Sequence, residues 1–132
     1  MLKFAGFLVL CWLGNFLGAI IAGNILLWSG AGATLATAAA GVITKYVALK
    51  WWQLLCGAIF CGMLVCFATG KPMSEIMVIF CVTVFVISGF PHCIATMGYW
   101  VFAGSSITNI WVLLPITIGN IIGSWVLVPL LQ

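Results

Sequence analysis

The sequence predicts an all-α integral membrane protein. Three observations carry that reading: scarce charge, long apolar runs, and no alternation of polar and apolar positions. Of the 132 residues, 66% are hydrophobic and 4% are charged, the latter being Lys3, Lys45, Lys50, Lys71 and Glu75. A soluble domain carries about 25% charged residues, so most of this surface faces something other than water, and the lipid bilayer is the partner that fits. Membrane β-strands alternate apolar and polar positions, and these segments do not. Inside hydrocarbon every backbone N–H and C=O needs an internal partner, which a helix supplies from its own segment.

Four apolar segments follow in order. The first, Phe4–Trp28, is long enough to cross a bilayer at about 1.5 Å per residue. It exceeds the apolar region of about 7–15 residues in a signal peptide, so it reads as a retained span. The small-residue stretch Ser29–Thr44, with Lys45 and Lys50 after it, reads as the connection to the second segment, about Trp51 to Thr69. The turn Thr69-Gly70-Lys71-Pro72 leads to the third, which starts near Ile76 and continues beyond Gly89. The fourth, about Ile110 to Leu131, follows the loop Gly104-Ser105-Ser106. Trp28, Trp51, Trp52, Trp100 and Trp111 fall near segment ends, as interfacial anchors do; Trp12 and Trp125 do not follow that pattern. An up-down arrangement puts Lys3 and Lys71 on one side and Lys45 and Lys50 on the other, so positive charge assigns no orientation. The whole chain, residues 1–132, reads as a single transmembrane domain.

Two local patterns stand out. Ser88-Gly89-Phe90-Pro91-His92 falls inside the third segment. Proline removes a backbone donor and disfavours helical geometry in the residue before it, so Gly89 and Pro91 predict a broken helix. Its second half is expected to start around His92 and to continue through Tyr99 or beyond. Irregular backbone at that depth is tolerated only against protein or a water-filled cavity, and such breaks mark substrate sites in transporters. Separately, Gly14-Asn15-Phe16-Leu17-Gly18-Ala19 in the first segment echoes Gly119-Asn120-Ile121-Ile122-Gly123-Ser124 in the last. Small residues permit close helix contact and an asparagine can hydrogen-bond across it. The first and last segments are therefore expected to hold equivalent places in a duplicated architecture, packing through Gly14, Asn15, Gly18, Gly119, Asn120 and Gly123.

Several function classes find no support. The net charge of +3 is spread along the chain with no basic run, so nucleic acid is not an expected partner. The six cysteines, Cys11, Cys56, Cys61, Cys66, Cys81 and Cys93, lie in apolar stretches without a C-x-x-C pair. They read as packing residues. No metal or cofactor is expected: one histidine cannot supply two axial haem ligands, and the sole acid lacks a partner for general acid/base work, so the chain does not read as an enzyme. Glu75 falls in the Lys71–Glu75 turn and does not supply the in-membrane carboxylate of a small proton-coupled exporter.

Several stretches together resemble a known family. Phe85-Val86-Ile87-Ser88-Gly89-Phe90-Pro91-His92-Cys93-Ile94-Ala95-Thr96-Met97 is similar to the pattern F-V-x-x-G-F-E-H-S/C-x-A-N-M of the formate/nitrite transporters. Leu114-Pro115-Ile116-Thr117-Ile118-Gly119-Asn120-Ile121-Ile122-Gly123 resembles that family's I-P-V-T-x-G-N-I-I-G. Tyr46 to Gln53 leads into Cys61-Gly62-Met63-Leu64-Val65-Cys66 much as K-V-x-L-P-W-W leads into C-N-x-x-V-C there, and the Gly14-Asn15 helix fits the family's third span. The resemblance covers nearly the whole chain, in order and at compatible spacing. It implies an aquaporin-like inverted-repeat fold with six spans per protomer, assembled as a pentamer in the plasma or inner membrane, each protomer with its own pore for small monovalent anions such as formate or nitrite. The chain matches spans three to six. It is therefore expected to be a truncated, partial protomer that does not conduct alone, and to need copies of itself or a complementing chain as partners.

The resemblance also implies roles for particular residues. His92 matches the family's central histidine, whose imidazole titrates near neutrality and donates hydrogen bonds to an anion in either protonation state. Phe85 and Val65 match apolar positions that narrow the path on either side of it. The family's vestibule lysine aligns with Tyr46, and Lys45 beside it is expected to take the role. The chain departs from the pattern at Pro91, where the family has glutamate, at Gly62, where it has a pore-facing asparagine, and at Thr96, where it has another asparagine. An alternative reading, in which His92 is a satisfied core residue, is a small four-span structural or assembly subunit of a membrane complex that uses the G-N-x-x-G helices as packing faces.

Overall fold

The computed structural model describes residues 2–70 and 75–127. Helices follow in the order α1 (Leu2–Leu27), α2 (Gly32–Ala48), α3 (Trp51–Thr69), α4 (Glu75–Ser88), α5 (Cys93–Phe102), a 3-10 turn (Ile107–Val112) and α6 (Leu113–Leu127), with no strand among the described residues. Lys71 and Pro72 of the expected turn, and the last residues of the expected fourth segment, lie outside the described residues.

Three stretches are long and apolar enough to cross a membrane: Ala5–Leu27, Trp51–Thr69 and Ile107–Leu127. The pair Glu75–Ser88 and Cys93–Phe102, bent by 49° at the break, passes the same test when taken together, as a broken span or a re-entrant loop. Large apolar side chains stay exposed along them, including Leu10, Leu17, Ile25, Phe60, Ile79 and Ile118. In water such a surface would aggregate; in a bilayer it is the solvated surface. Some exposed polar side chains within the spans close locally instead. Asn24 Nδ2 donates to the Ile20 carbonyl at 2.7 Å, and Thr69 Oγ1 to the Val65 carbonyl at 3.0 Å. The chain is thus an all-α, multi-pass integral membrane protein.

The structure differs from the sequence reading at the stretch Ser29–Thr44. Most of it is helical, as α2. Alanine has the highest intrinsic helix propensity, and no proline interrupts this run. Its small side chains lower its hydropathy without weakening the helix, which is why composition alone suggested a connection. Glu75, expected in the turn, opens α4. Ahead of α6 the backbone becomes helical already at Ile107, as the tighter 3-10 form.

Two compact units divide the chain. The first gathers α1, α2 and the chain from Ile94 to Ile110. There α1 meets α2, and Gly23 of α1 is buried where a Cβ would stand 2.6 Å from Val101 Cγ1. Trp12 stacks on Phe16, whose ring lies 5.7 Å from Trp100, so one of the two tryptophans that fitted no interface belongs to an aromatic cluster. The second unit holds α3, α4, the break and α6. Here α3 packs against both α4 and α6, and Leu54, Ala58, Cys61, Val112 and Ile116 are fully buried.

Candidate functional site

The break between α4 and α5 is built from residues 85–93. Gly89 has φ 65°. Its N–H donates to the Val86 carbonyl at 3.1 Å, and the Phe90 N–H donates to the Phe85 carbonyl at 3.2 Å. This pair of bonds is the Schellman closure. It satisfies carbonyls that would be orphaned at a helix end and requires a residue at ease in the left-handed region. Pro91 offers no N–H with which to resume the helix, and helical geometry restarts at Cys93.

The interrupted backbone rests on protein. The Phe90 ring stacks on Phe60 of α3 with centroids 5.9 Å apart. Pro91 is buried, and a Cβ added to Gly57 of α3 would lie 3.0 Å from Pro91 Cδ, so the missing side chain at 57 forms the seat for the proline ring. Asn120 of α6 completes the hold. Its Nδ2 donates to the Ala58 carbonyl at 2.8 Å and to the Pro91 carbonyl at 3.1 Å, while its Oδ1 accepts the Cys93 N–H at 2.8 Å. Both amide hydrogens of this buried side chain are engaged. Pro91 and Cys93 flank His92, so one side chain grips the backbone on both sides of the histidine.

His92 itself is half-buried, and its ring lies on that of Phe85 with centroids 5.8 Å apart and planes 29° from parallel. The structure therefore brings together His92, Phe85, Gly89, Pro91 and Asn120. Val65 stands half-buried on α3, about one turn beyond Gly62, and is not part of the ring pair. Lys45 is exposed in the last turn of α2, and Tyr46 beside it is buried.

The two G-N-x-x-G copies behave differently. In α6, Gly119 and Gly123 lie against α3: a Cβ at Gly119 would fall 2.6 Å from both Ala58 Cβ and the Leu55 carbonyl oxygen, and one at Gly123 would run into the Ile59 carbonyl. In α1, Gly14 and Gly18 have nothing within 4 Å of where a Cβ would stand, and exposed Asn15 turns its amide back to the Cys11 carbonyl at 2.8 Å. Sequence reasoning missed Gly57, Phe60, Phe90 and Ser124, whose hydroxyl donates to the Asn120 carbonyl at 2.9 Å and the Gly62 carbonyl at 3.3 Å. A signal existed for the α3 face: Gly57 and Cys61, like Ala58 and Gly62, are small residues at the four-residue spacing of close helix contact.

No curated protein and no solved structure matches the chain with significance. One family model, described as formate/nitrite transporter, matches residues 1–132. That match spans every element described above, including the broken helix and the asparagine that holds it. The chain belongs to the formate/nitrite transporter family, whose members carry anions across membranes.

Proposed function

We propose that residues 1–132 work as one transmembrane domain that passes small monovalent anions, such as formate, nitrite or similar weak acids, along a path meeting the imidazole of His92. The observation that carries this reading is the helix break with the chain's one histidine in it, its backbone gripped from either side by Asn120. An imidazole in a poorly hydrated passage replaces part of an anion's hydration with an N–H donor and exchanges a proton with a weak acid. Phe85, stacked on that ring, and Val65 narrow the path as apolar constrictions. Lys45, exposed at its helix end, draws anions towards the entrance. The chain acts in the plasma or inner membrane as a homo-oligomer, a pentamer by resemblance, or with a complementing chain.

The test is uptake of radiolabelled formate and of nitrite into proteoliposomes carrying the protein purified as its native assembly. His92→Ala is expected to lower uptake by about 10- to 100-fold, the loss of one hydrogen bond to a charged group worth about 1.5–3 kcal/mol. His92→Gln keeps an N–H donor without the titrating proton and should retain part of the flux while flattening its pH dependence. Wild-type flux from His92→Ala overturns the reading. The open face of Gly14, Asn15 and Gly18 favours the alternative of a structural or assembly subunit, which predicts intact assembly and intact transport in the same variant.

A further inference from the structure

Gly62 is buried where α3 meets α6, and a Cβ placed on it would lie 2.8 Å from Asn120 Cα and 2.9 Å from the Asn120 carbonyl carbon, with the carbonyl oxygen closer still. All three neighbours are backbone, so no flexible side chain can swing aside. The α6 backbone fills the space that a side chain at this position would take. Contacts around it have the same character. Gly119 meets Ala58 and the Leu55 carbonyl, and Ser124 reaches the Gly62 carbonyl at 3.3 Å. The two helices touch main chain to main chain at the level of Asn120.

That closeness has a consequence for Asn120, whose side chain is short. Its amide spans from α3 to the break, with donor distances of 2.8 Å to Ala58 and 3.1 Å to Pro91. Hydrogen bonds weaken steeply beyond about 3.2–3.5 Å, so backing α6 away by an atom's width would break one or both. We propose that Gly62 and Asn120 form one positioning device: Gly62 gives up its side chain so that α6 closes on α3, and Asn120, brought within reach, holds the backbone on both sides of His92. Asn120 then positions and does not bind the anion, because both its N–H groups are spent on carbonyls. A side chain at Gly62, asparagine included, therefore costs transport.

The inference rests on His92 as the anion-contacting group, and the experiment separates the two. Formate and nitrite uptake per inserted protein is measured in the native assembly for His92→Ala, Asn120→Ala, Gly62→Ala and Gly62→Asn, with exposed Ile87→Ala as reference. Asn120→Ala and Gly62→Asn are each expected to lower the maximal rate about tenfold and to shift the formate-to-nitrite ratio; Gly62→Ala is expected to do so by less. The double variant should be little worse than either single change, as for residues acting through one contact. A purely structural role would lower the amount of inserted protein and leave the ratio alone. A second readout holds where a variant transports too little to measure: with the other five cysteines replaced by alanine, Cys93 should react faster with a thiol reagent once the clamp on its N–H is released. Gly62→Asn at or above wild-type rate, or Asn120→Ala with unchanged ratio and unchanged Cys93 labelling, overturns the device. Wild-type transport by His92→Ala instead overturns the anion role of His92, whatever the clamp variants do.

Discussion

Gly89 concentrates the conformational demand of the break in one residue. With φ 65° it occupies the region where a Cβ crowds the following carbonyl, at a cost of about 1–2 kcal/mol for most residues. Gly89→Ala is expected to lower stability by about that amount, and Gly89→Asn by less, because asparagine tolerates this conformation. Thermal unfolding in detergent measures the difference. Equal stability of alanine and glycine there would mean that α4 does not end in the closure described. The glycine and proline of this stretch were legible in the sequence because each acts locally. Asn120 was legible only as a residue able to hydrogen-bond across a helix pair; its acceptors, the Ala58 and Pro91 carbonyls, lie 62 and 29 positions away, and no local rule reaches that far.

At the scale of elements, the spans were readable because a bilayer demands long apolar helices. The helix α2 was not, because hydropathy and helix propensity are different quantities. Its residues are mostly small and moderately apolar, and its alanines favour the helix. The exposed position Ala38, in mid-helix, distinguishes the two readings. Ala38→Pro should cost about 3 kcal/mol in a helix interior and far less in a flexible connection, and circular dichroism with thermal unfolding reports which holds. Contact between α3 and α6 follows another rule. Lipid tails offer no hydrophobic reason for helices to associate, so close packing and interhelical hydrogen bonds drive it. The glycines at 62, 119 and 123 bring the main chains together, and the Asn120 and Ser124 side chains bond across the gap.

At the scale of the whole molecule, the same G-N-x-x-G arrangement is engaged in α6 and open in α1. A Cβ at Gly14 has nothing within 4 Å, and Gly14→Leu is expected to leave the chain's own stability within about 0.5 kcal/mol. If the open face seats a second protein segment, the substitution reduces the assembled form about tenfold at fixed protein concentration, one step of 1.4 kcal/mol. Light scattering after size exclusion checks this, and an unchanged mass distribution would remove α1 from the assembly interface. The sequence by itself determined the membrane setting, the helical class, the place of the break and the family, since each depends on composition, period or short motifs. Only the tertiary structure decided that Phe85 covers the His92 ring, that Gly57 seats Pro91 and that Asn120 joins α3 to the break. The Gly57 and Asn120 contacts join residues distant along the chain, and the Phe85 contact depends on how the chain turns at the break; none of this geometry is encoded by a local pattern.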